Sequence, residues 1–444
     1  MFCLEKLVLI KRLEKIEYKE NKYIHHIIMS NKLYDIIIIG SGMAGLYSAY
    51  NITRMTPHKS FLILEKHKKQ WIGGRTSNEM FYGTEIVTGA GIGRRNKDVL
   101  LYHLLKELQI QTCYFTLEPN YPNSLHISDI HKTLTLLKEQ YGKQSTNTNT
   151  GMTFKQFAKP ILGDKEYQQF LVTTGYTDYE NEDAFDTLYH YGMEDNNFNY
   201  KAFYVEWREM VLRLADKIGY KHFKFSNDVI KISKLSDVPC KFQIVTESGK
   251  KYYCNKVIIA TTISGIRKLL PNYPIYNDIE GQPFLRLYGK FSEKSIPIIR
   301  QYVKGITIVS GPLQKIMPIE PNKGIYMISY SDNNNAILLK KHLENTEENR
   351  QLFCQLIEQT LDIPDNSLHL IAIKDYYWPI GTHYYKPLNK VLYKTRDNFI
   401  KQAQHPEDGI LVVGEVVSNN QGWTEGALES VKTALNKKWI LEKC

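Results

Sequence analysis

The sequence contains few cysteines and none of the spacings that metal sites or disulfide frameworks use. No CxxC pair occurs, and the cysteines lie far apart along the chain. They are Cys3, Cys113, Cys240, Cys254, Cys354 and Cys444. This pattern suggests neither a zinc site nor a disulfide-stabilised fold, so no metal is expected and a reducing, cytoplasmic compartment fits best.

Long apolar runs are also missing. No segment approaches the roughly 18 apolar residues that a membrane-spanning helix needs, so no membrane span is expected. The first residues, MFCLEKLVLIKRLEKIEYKENKYIHHIIM, combine a short apolar patch with charges and lack a small-residue cleavage site. They make a poor signal peptide, and we treat residues 1–32 as an N-terminal extension.

Positive charge is not gathered in one place. The net charge is +10, but the lysines are scattered along the whole chain rather than forming a basic stripe. We therefore expect no nucleic-acid partner. A length of 444 residues with 43% hydrophobic content predicts a globular protein of two or three domains.

The first informative segment is LYDIIIIGSGMAGLYSAYNI, where a β-branched run meets glycines and then a helix-compatible run. It predicts a buried parallel strand, a tight turn and a helix. Gly40, Gly42 and Gly45 have the GxGxxG spacing of a dinucleotide-binding turn, in which the second glycine lets backbone amides approach a pyrophosphate. Glu65 ends the next apolar run, 20 residues beyond Gly45. A carboxylate there accepts hydrogen bonds from ribose hydroxyls, so we predict a bound adenine dinucleotide.

Three further motifs make the pattern specific: WIGGRTS, VIIATT, and GEVVSNNQGWTEGALESV from Gly414. Together with IIIIGSGMAGL and Glu65, they resemble the flavin-containing amine oxidase family, which includes monoamine, polyamine and L-amino-acid oxidases. The resemblance covers the nucleotide-binding parts well and the central, substrate-binding parts poorly.

The resemblance implies a set of residues that hold FAD. They are Gly40, Gly42, Ala44, Gly45, Glu65, Gly74, Arg75, Gly89, Ala90, Val229, Gly414, Glu415, Gly426 and Ala427. Arg75 would neutralise the pyrophosphate, Glu415 would bond the ribityl or pyrophosphate region, and Val229 would hold the adenine through its main chain. Amides around Gly426 and Ala427 would stabilise negative charge on the reduced ring through the helix dipole.

Some members carry a cysteine that binds the flavin covalently, just before a tyrosine. Here His383 stands at that position, followed by Tyr384. We therefore expect noncovalent FAD.

The resemblance also implies the catalytic residues Trp423, Tyr384 and Arg286. Trp423 and Tyr384 would form two walls of an aromatic substrate cage. Arg286, in FLRLYGKF, stands where the family often has a lysine that reaches flavin N5 through a water, and Lys290 follows four residues later. Arginine cannot donate a proton at neutral pH, which puts efficient reoxidation by dioxygen in doubt.

The predicted fold class is α/β, with a Rossmann-like FAD-binding domain interleaved with an α+β substrate-binding domain. We assign residues 33–95, 203–271 and 395–444 to the FAD-binding domain, and residues 96–202 and 272–394 to the substrate-binding domain.

The predicted function is oxidation of a small amine or amino acid by hydride transfer to flavin N5, with dioxygen as acceptor and hydrogen peroxide as product. If the substrate is an amino acid, Arg94 or Arg95 would bind its carboxylate. Two alternatives remain open. One is a flavoenzyme of the same fold with other chemistry, such as a desaturase, a protoporphyrinogen-type oxidase or a mutase; the other is a non-catalytic FAD-binding protein.

Overall fold

The computed structural model describes residues 32–116, 118–144, 151–193, 201–235 and 241–442. The predicted extension up to residue 31 lies outside these ranges. Among the helices that they contain, none combines the length and the apolar character that crossing a membrane requires.

The strands of the described residues fall into four sheets. In chain order they are β1 (Leu33–Ile39), β2 (Phe61–Leu64), β3 (Asn78–Phe81), β4 (Thr84–Val87), β5 (Gly93–Arg94), β6 (Tyr114–Thr116), β7 (Lys201–Phe203), β8 (Phe223–Lys224), β9 (Val229–Lys234), β10 (Phe242–Thr246), β11 (Lys251–Ile259), β12 (Ile279–Phe291), β13 (Thr307–Ile308), β14 (Lys315–Glu320), β15 (Ile325–Asp332), β16 (Leu370–Tyr385) and β17 (Ile410–Val412).

The α-helices pack around these sheets. In chain order they are α1 (Met43–Met55), α2 (Val99–Glu107), α3 (Ile130–Gln144), α4 (Phe154–Thr174), α5 (Ala184–Tyr189), α6 (Trp207–Ile218), α7 (Ile263–Leu269), α8 (Ile296–Tyr302), α9 (Asn333–Leu339), α10 (Glu347–Leu361), α11 (Lys390–Tyr393), α12 (Arg396–Gln404), α13 (Thr424–Ala434) and α14 (Lys437–Leu441).

The largest sheet has the order β8-β2-β1-β11-β10-β9, with β17 also beside β11. At its centre, β1 runs parallel to both β2 and β11. The isoleucines at 36–39 are buried because helices or other strands cover both faces, as expected for a continuous β-branched run. The strand, turn and helix predicted around GSGMAG are therefore confirmed, with α1 beginning directly after Gly42.

Strand β11 changes partners along its length. Its first half pairs antiparallel with β10, whose other edge pairs with β9, and its second half runs parallel to β1 and β17. Strands β9, β10 and β11 thus form a small antiparallel meander that returns to a buried parallel strand. Gly219, with a φ of +86°, ends the helix α6.

A second, five-stranded sheet has the order β13-β14-β15-β12-β16 and is antiparallel where its long strands pair. It lies entirely within residues 272–394. The large sheet instead takes strands from residues 33–95, 203–271 and 395–444. This distribution agrees with the interleaved arrangement, while the domain boundaries themselves stay a prediction.

Candidate functional site

The first glycine-rich loop combines tight packing with one open side. A Cβ on Gly40 would lie 2.4 Å from the carbonyl oxygen of Ala260, and a Cβ on Gly45 would lie 2.1 Å from that of Gly40. At Gly42, by contrast, no heavy atom lies within 4 Å of an added Cβ. The first and third glycines are thus required by the fold itself, and the second faces open space.

This open side is the N-terminus of α1. Gly42 is its N-cap, no side chain caps the helix, and its first turn, which includes Ala44, has no acidic residue. The N–H groups of this turn and the positive end of the helix dipole are therefore available to an anion such as a pyrophosphate.

Glu65 closes one side of the same loop. One carboxylate oxygen accepts hydrogen bonds from the N–H and the hydroxyl of Ser41, both at 2.8 Å, and the other accepts from the N–H of His67 at 2.8 Å. The N–H of Asn227 donates to the Glu65 carbonyl, which brings the start of β9, with buried Val229, to this end of the sheet. Glu65 and Val229 therefore lie at the same end of the sheet, and their roles as ribose acceptor and adenine neighbour stay predictions.

The GGRT loop packs directly on this first loop. Gly73 donates its N–H to the carbonyl of Ser41 at 2.9 Å, and a Cβ on Gly74 would lie 3.5 Å from the Cα of Gly42. Arg75 then extends toward the C-terminal part of the chain, where it donates to the carbonyl of Gly381 at 2.6 Å and to Glu415 at 3.1 Å.

Glu415 is the centre of a buried hydrogen-bonded network. Besides Arg75, its carboxylate accepts from Nδ1 of His383 and from the N–H of Gly422, the latter at 3.0 Å. Burial alone raises the pKa of this carboxyl, but His383, Arg75 and the Gly422 N–H together lower the pKa to about 2. Glu415 is therefore ionised at neutral pH.

His383 has both ring nitrogens engaged within the protein. Nε2 accepts a hydrogen bond from the N–H of Ile263 at 3.0 Å, which assigns the proton to Nδ1, facing Glu415. His383 is thus a hydrogen-bonding residue within the protein, and noncovalent binding of FAD stays a prediction.

The loop TGAGIG, residues 88–93, is held in place by side chains from other elements. A Cβ on Gly89 would lie 2.2 Å from the carbonyl oxygen of Arg75, and the N–H of Ala90 donates to that same carbonyl at 2.8 Å. Three carbonyl groups of this loop, and that of Val87 just before it, accept hydrogen bonds from side chains on β12, β16 and α6. The donors are Tyr288 to Val87 at 2.7 Å, Trp378 to Thr88 at 2.7 Å, Arg286 to Gly89 at 2.5 Å and Trp207 to Gly91 at 2.7 Å.

Arg286, in the stretch FLRLYGKF of β12, reaches this loop, and its proposed catalytic role stays a prediction. Arg286 is 6% exposed, its Nη2 lies 3.1 Å from a Cβ built on Gly91, and its guanidinium stacks 4.2 Å from the ring centroid of Tyr330. Lys290 points elsewhere, since its ammonium donates to the carbonyls of Phe291 and Lys323. Of the two cations, Arg286 is the one at the candidate site.

The C-terminal glycine-rich stretch forms a second helix N-terminus with no side-chain cap, that of α13. A Cβ on Gly426 would lie 1.9 Å from the carbonyl oxygen of Asn420, so the turn requires glycine at this position. Gly414 has a φ of +133°, and its N–H donates to Ser430. Ala427 lies in the first turn of α13.

Trp423, the N-cap of α13, is partly buried and meets Trp207 edge to face, with ring centroids 6.1 Å apart. Its indole N–H is buried and has no hydrogen-bond partner among the described residues. Tyr384 lies on β16 opposite Glu280 and is also partly buried. These two aromatic side chains make no ring contact with each other, and their roles as the two walls of a cage stay a prediction.

The two arginines considered for a substrate carboxylate are poorly suited to that task. Arg94 donates to the carboxylate of Asp98 at 3.0 Å, so its charge is already neutralised. Arg95 is exposed and lies over the ring of Tyr114. The structure favours neither as a carboxylate site.

One pocket beside Tyr384 contains residues that the sequence motifs do not indicate. Its lining includes Asp178, Glu182, Gln282 and Gln421, together with Gly422 and Tyr384. His190, Tyr191, His383 and Asn419 complete the lining, so the pocket contains both hydrogen-bond donors and acceptors. Asp178 and Glu182 come from the connection between α4 and α5, where the sequence resembles no family motif, so only the folded chain brings them here.

Comparisons with known proteins agree with this architecture. A family model described as an NAD(P)-binding Rossmann-like domain matches residues 38–108. An uncharacterized protein of Acanthamoeba polyphaga mimivirus is 20% identical over 491 residues, covering 91% of this chain and 93% of that protein.

Two solved structures share the fold over nearly the whole chain. Cyclohexylamine oxidase from Brevibacterium oxydans has a TM-score of 0.69 at 14% identity, covering 92% of this chain and 98% of that one. Putrescine oxidase bound to putrescine has a TM-score of 0.70 at 13% identity, covering 91% and 98%. The predicted fold class is therefore confirmed: this is a mixed α/β chain with a Rossmann-like nucleotide-binding unit and the fold of these two proteins.

Proposed function

We propose that the chain is an FAD-dependent oxidoreductase that oxidises a small amine or amino acid. The observation that carries the proposal is one connected line of contacts between two glycine-rich stretches nearly 400 residues apart. It runs from the loop at Gly42 through the GGRT loop to Arg75, then to Glu415, and on to Gly422 beside the N-terminus of α13.

The residues along this line fit FAD. The uncapped N-terminus of α1 suits a pyrophosphate, Glu65 suits a ribose, and Arg75 provides a cation. The backbone at Gly89–Gly91 carries no side chain larger than the methyl group of Ala90, which suits close approach of a flat ring. Both histidine nitrogens at His383 are engaged, which supports noncovalent binding.

When bound, FAD supplies the hydride acceptor N5, and its reoxidation by dioxygen yields hydrogen peroxide. The chain supplies orientation and electrostatics. The N–H groups in the first turn of α13 would stabilise negative charge on the ring through the positive end of the helix dipole, and the side chains that bond the carbonyls of the TGAGIG loop hold that loop in one place. Trp423 and Tyr384 would orient the substrate.

The similar structures support an amine as the substrate, because one is a cyclohexylamine oxidase and the other is a putrescine oxidase with putrescine bound. An amino-acid substrate is less well supported, since Arg94 is paired with Asp98 and Arg95 is exposed.

A second candidate function is a non-catalytic FAD-binding protein. The observation that favours it is Arg286, which is fixed to the carbonyl of Gly89 and cannot release a proton at neutral pH. Such a protein would keep the nucleotide pocket and lack turnover.

An absorption spectrum of the purified protein, repeated on the supernatant after acid precipitation, tests the cofactor. We expect flavin bands that move into the supernatant. Bands that stay with the pellet would contradict noncovalent binding, and their absence even after reconstitution with FAD would refute the cofactor. With FAD present, hydrogen peroxide release under air from a panel of amines supports the oxidase, and retained FAD without any turnover supports the second candidate.

A further inference from the structure

Two neighbouring aliphatic side chains on the short helix α11 face solvent. Val391 is 72% exposed and Leu392 is 66% exposed, more than any other large apolar residue in the part of the chain that the structure describes. Moving such side chains from water into an apolar environment is favourable. An aliphatic pair that the fold leaves in water is therefore a candidate interaction site.

The turn that carries this pair is held in one conformation. The side-chain oxygen of Asn389 accepts hydrogen bonds from the N–H groups of Val391 and Leu392, at 3.1 and 3.2 Å. On the other side, Tyr393 meets the fully buried ring of Phe399 edge to face, with ring centroids 4.9 Å apart. The turn thus holds the two aliphatic side chains away from the core.

A second group of exposed apolar side chains lies beside this turn. On α5, Phe185 is 40% exposed and Tyr189 is 46% exposed, with ring centroids 4.8 Å apart. The carboxylate of Asp183 joins the two segments, because it accepts from the N–H of Phe185 at 2.8 Å and from the N–H of Leu388 at 2.7 Å. Helices α5 and α11 therefore begin next to each other. We call their exposed apolar side chains the apolar surface: Phe185, Tyr189, Val391 and Leu392.

The charge beside the apolar surface is positive. Lys390 and Lys394 flank the aliphatic pair, and neither forms an ion pair with another described residue. Residues 386–396 contain no acid. The acids at the start of α5 do not offset the two lysines, because Asp183 and Asp186 are buried and form ion pairs with Arg396.

This combination of side chains distinguishes between the possible partners. Protein interfaces are depleted of lysine, and a nucleic acid offers phosphates but no apolar phase for aliphatic side chains. An anionic bilayer offers both. Aliphatic side chains enter its acyl boundary, aromatic rings lie at the headgroup level, and lysines extend along the apolar layer to the lipid phosphates.

We propose that the apolar surface binds the surface of an anionic membrane. Val391 and Leu392 enter the headgroup region, and Lys390 and Lys394 lie beside the lipid phosphates. Binding of this kind needs no membrane-spanning helix. The inference goes beyond the proposed amine oxidation and does not depend on it.

Co-sedimentation of the full chain with lipid vesicles tests the proposal. One set of vesicles is phosphatidylcholine alone, and the other is equal parts phosphatidylcholine and phosphatidylserine. We expect binding to the mixed vesicles to be at least about tenfold tighter, and to weaken as salt is raised, because salt screens the attraction of the lysines. The double variant Val391→Ser with Leu392→Ser should weaken binding to the mixed vesicles about tenfold or more. Lys390→Gln with Lys394→Gln should remove the preference for phosphatidylserine.

The hairpin of β3 and β4 provides a matched control. Met80 and Tyr82 are 63% and 55% exposed there, but the charges that flank them are Glu79 and Glu85 instead of lysines. Met80→Ser with Tyr82→Ser therefore removes a comparable exposed apolar pair and should bind the mixed vesicles as the parent does.

Three results would overturn the proposal. The first is no binding to the mixed vesicles, and the second is equal binding by the parent and the variant of Val391 and Leu392. The third comes from size-exclusion chromatography with light scattering: if the parent is a dimer and that variant is a monomer, a second copy of this chain covers the apolar surface.

Discussion

The guanidinium of Arg75 and the carboxylate of Glu415 meet across 3.1 Å, although 340 residues separate them in the chain. Arg75 follows the loop that packs on Gly42, and Glu415 lies in a 3₁₀ turn just after β17. The pair therefore joins the first and the last parts of the large-sheet unit, between the two glycine-rich stretches. The contribution of this ion pair to the free energy of unfolding can be measured in the protein without a cofactor.

We predict that Glu415→Gln destabilises the protein by roughly 3 kcal/mol at pH 7, because it leaves Arg75 without its buried partner. The folded state lowers the pKa of Glu415 from 4.5 to about 2. The stabilisation that ionised Glu415 provides is therefore fully present above its unfolded-state pKa of 4.5, and it is lost as the pH falls toward its folded-state pKa of about 2. The free-energy difference between parent and variant should be constant between pH 5 and 7 and should shrink by about 1.4 kcal/mol per pH unit below 4.5.

Urea unfolding at pH 7, 5 and 3.5 measures this difference. Glu247→Gln is the control, since Glu247 is exposed on the turn between β10 and β11. A difference that does not change with pH, or an equal loss in the control, would show that Glu415 is not the ionised centre of the network.

Glu65→Ala should weaken FAD retention. The variant removes the acceptor for ribose hydroxyls and also the bonds that hold Ser41 in the glycine-rich loop. The loss of one or two hydrogen bonds to a charged group predicts a Kd for FAD that is about 10- to 100-fold higher. Equilibrium dialysis of the deflavinated protein against FAD measures it, with Glu247→Ala as the matched exposed control. Unchanged flavin content in purified Glu65→Ala would refute the ribose role.

The nucleotide-binding half of the site was accessible from sequence because its constraints are local. Gly45 is fixed by the carbonyl of Gly40 within one strand, turn and helix, and Gly40 has a φ of +104°, which favours glycine, so both constraints impose glycine at fixed spacing. The position of Glu65 follows from the usual length of one strand–helix–strand step, which ends about 20 residues beyond the third glycine. These features survive as motifs even where the rest of the chain has changed.

The contacts around the proposed substrate position could not be predicted from the sequence in this way. The carbonyl of Gly91 accepts from Trp207, and that of Thr88 accepts from Trp378, across 116 and 290 residues. Nothing in the local sequence distinguishes such a tryptophan from an ordinary core residue. Gln282 and Asp178 likewise meet only because β12 and the connection after α4 pack together.

Arg286→Lys should speed the reoxidation of the reduced flavin by dioxygen. A lysine ammonium can release a proton when buried, whereas the guanidinium of Arg286 cannot, so we expect an increase of about tenfold or more. Stopped-flow mixing of the reduced protein with oxygenated buffer measures the rate. Lys290→Arg, at the other end of the same strand, is the matched control and should not change it. A rate in Arg286→Lys equal to or below that of the parent would show that the protonation state of this residue does not limit reoxidation.

Trp423→Ala should retain flavin and lose turnover. Trp423 is the N-cap residue of α13 but its side chain does not cap the helix; the indole packs edge to face on Trp207, whereas the contacts that fit the nucleotide run through Glu65, Arg75 and Glu415. Removing a wall of the substrate cage misplaces the reacting amine, and a displacement of about 1 Å is enough to lower kcat/KM about 100-fold.

Trp423→Phe keeps a flat ring and should recover most of the activity, which separates loss of the wall from general disorder at the helix N-terminus. Turnover of an amine substrate, with flavin content read from the absorption spectrum of each variant, distinguishes these outcomes. If Trp423→Ala were as active as the parent, Trp423 would be a core aromatic residue and the substrate would bind elsewhere.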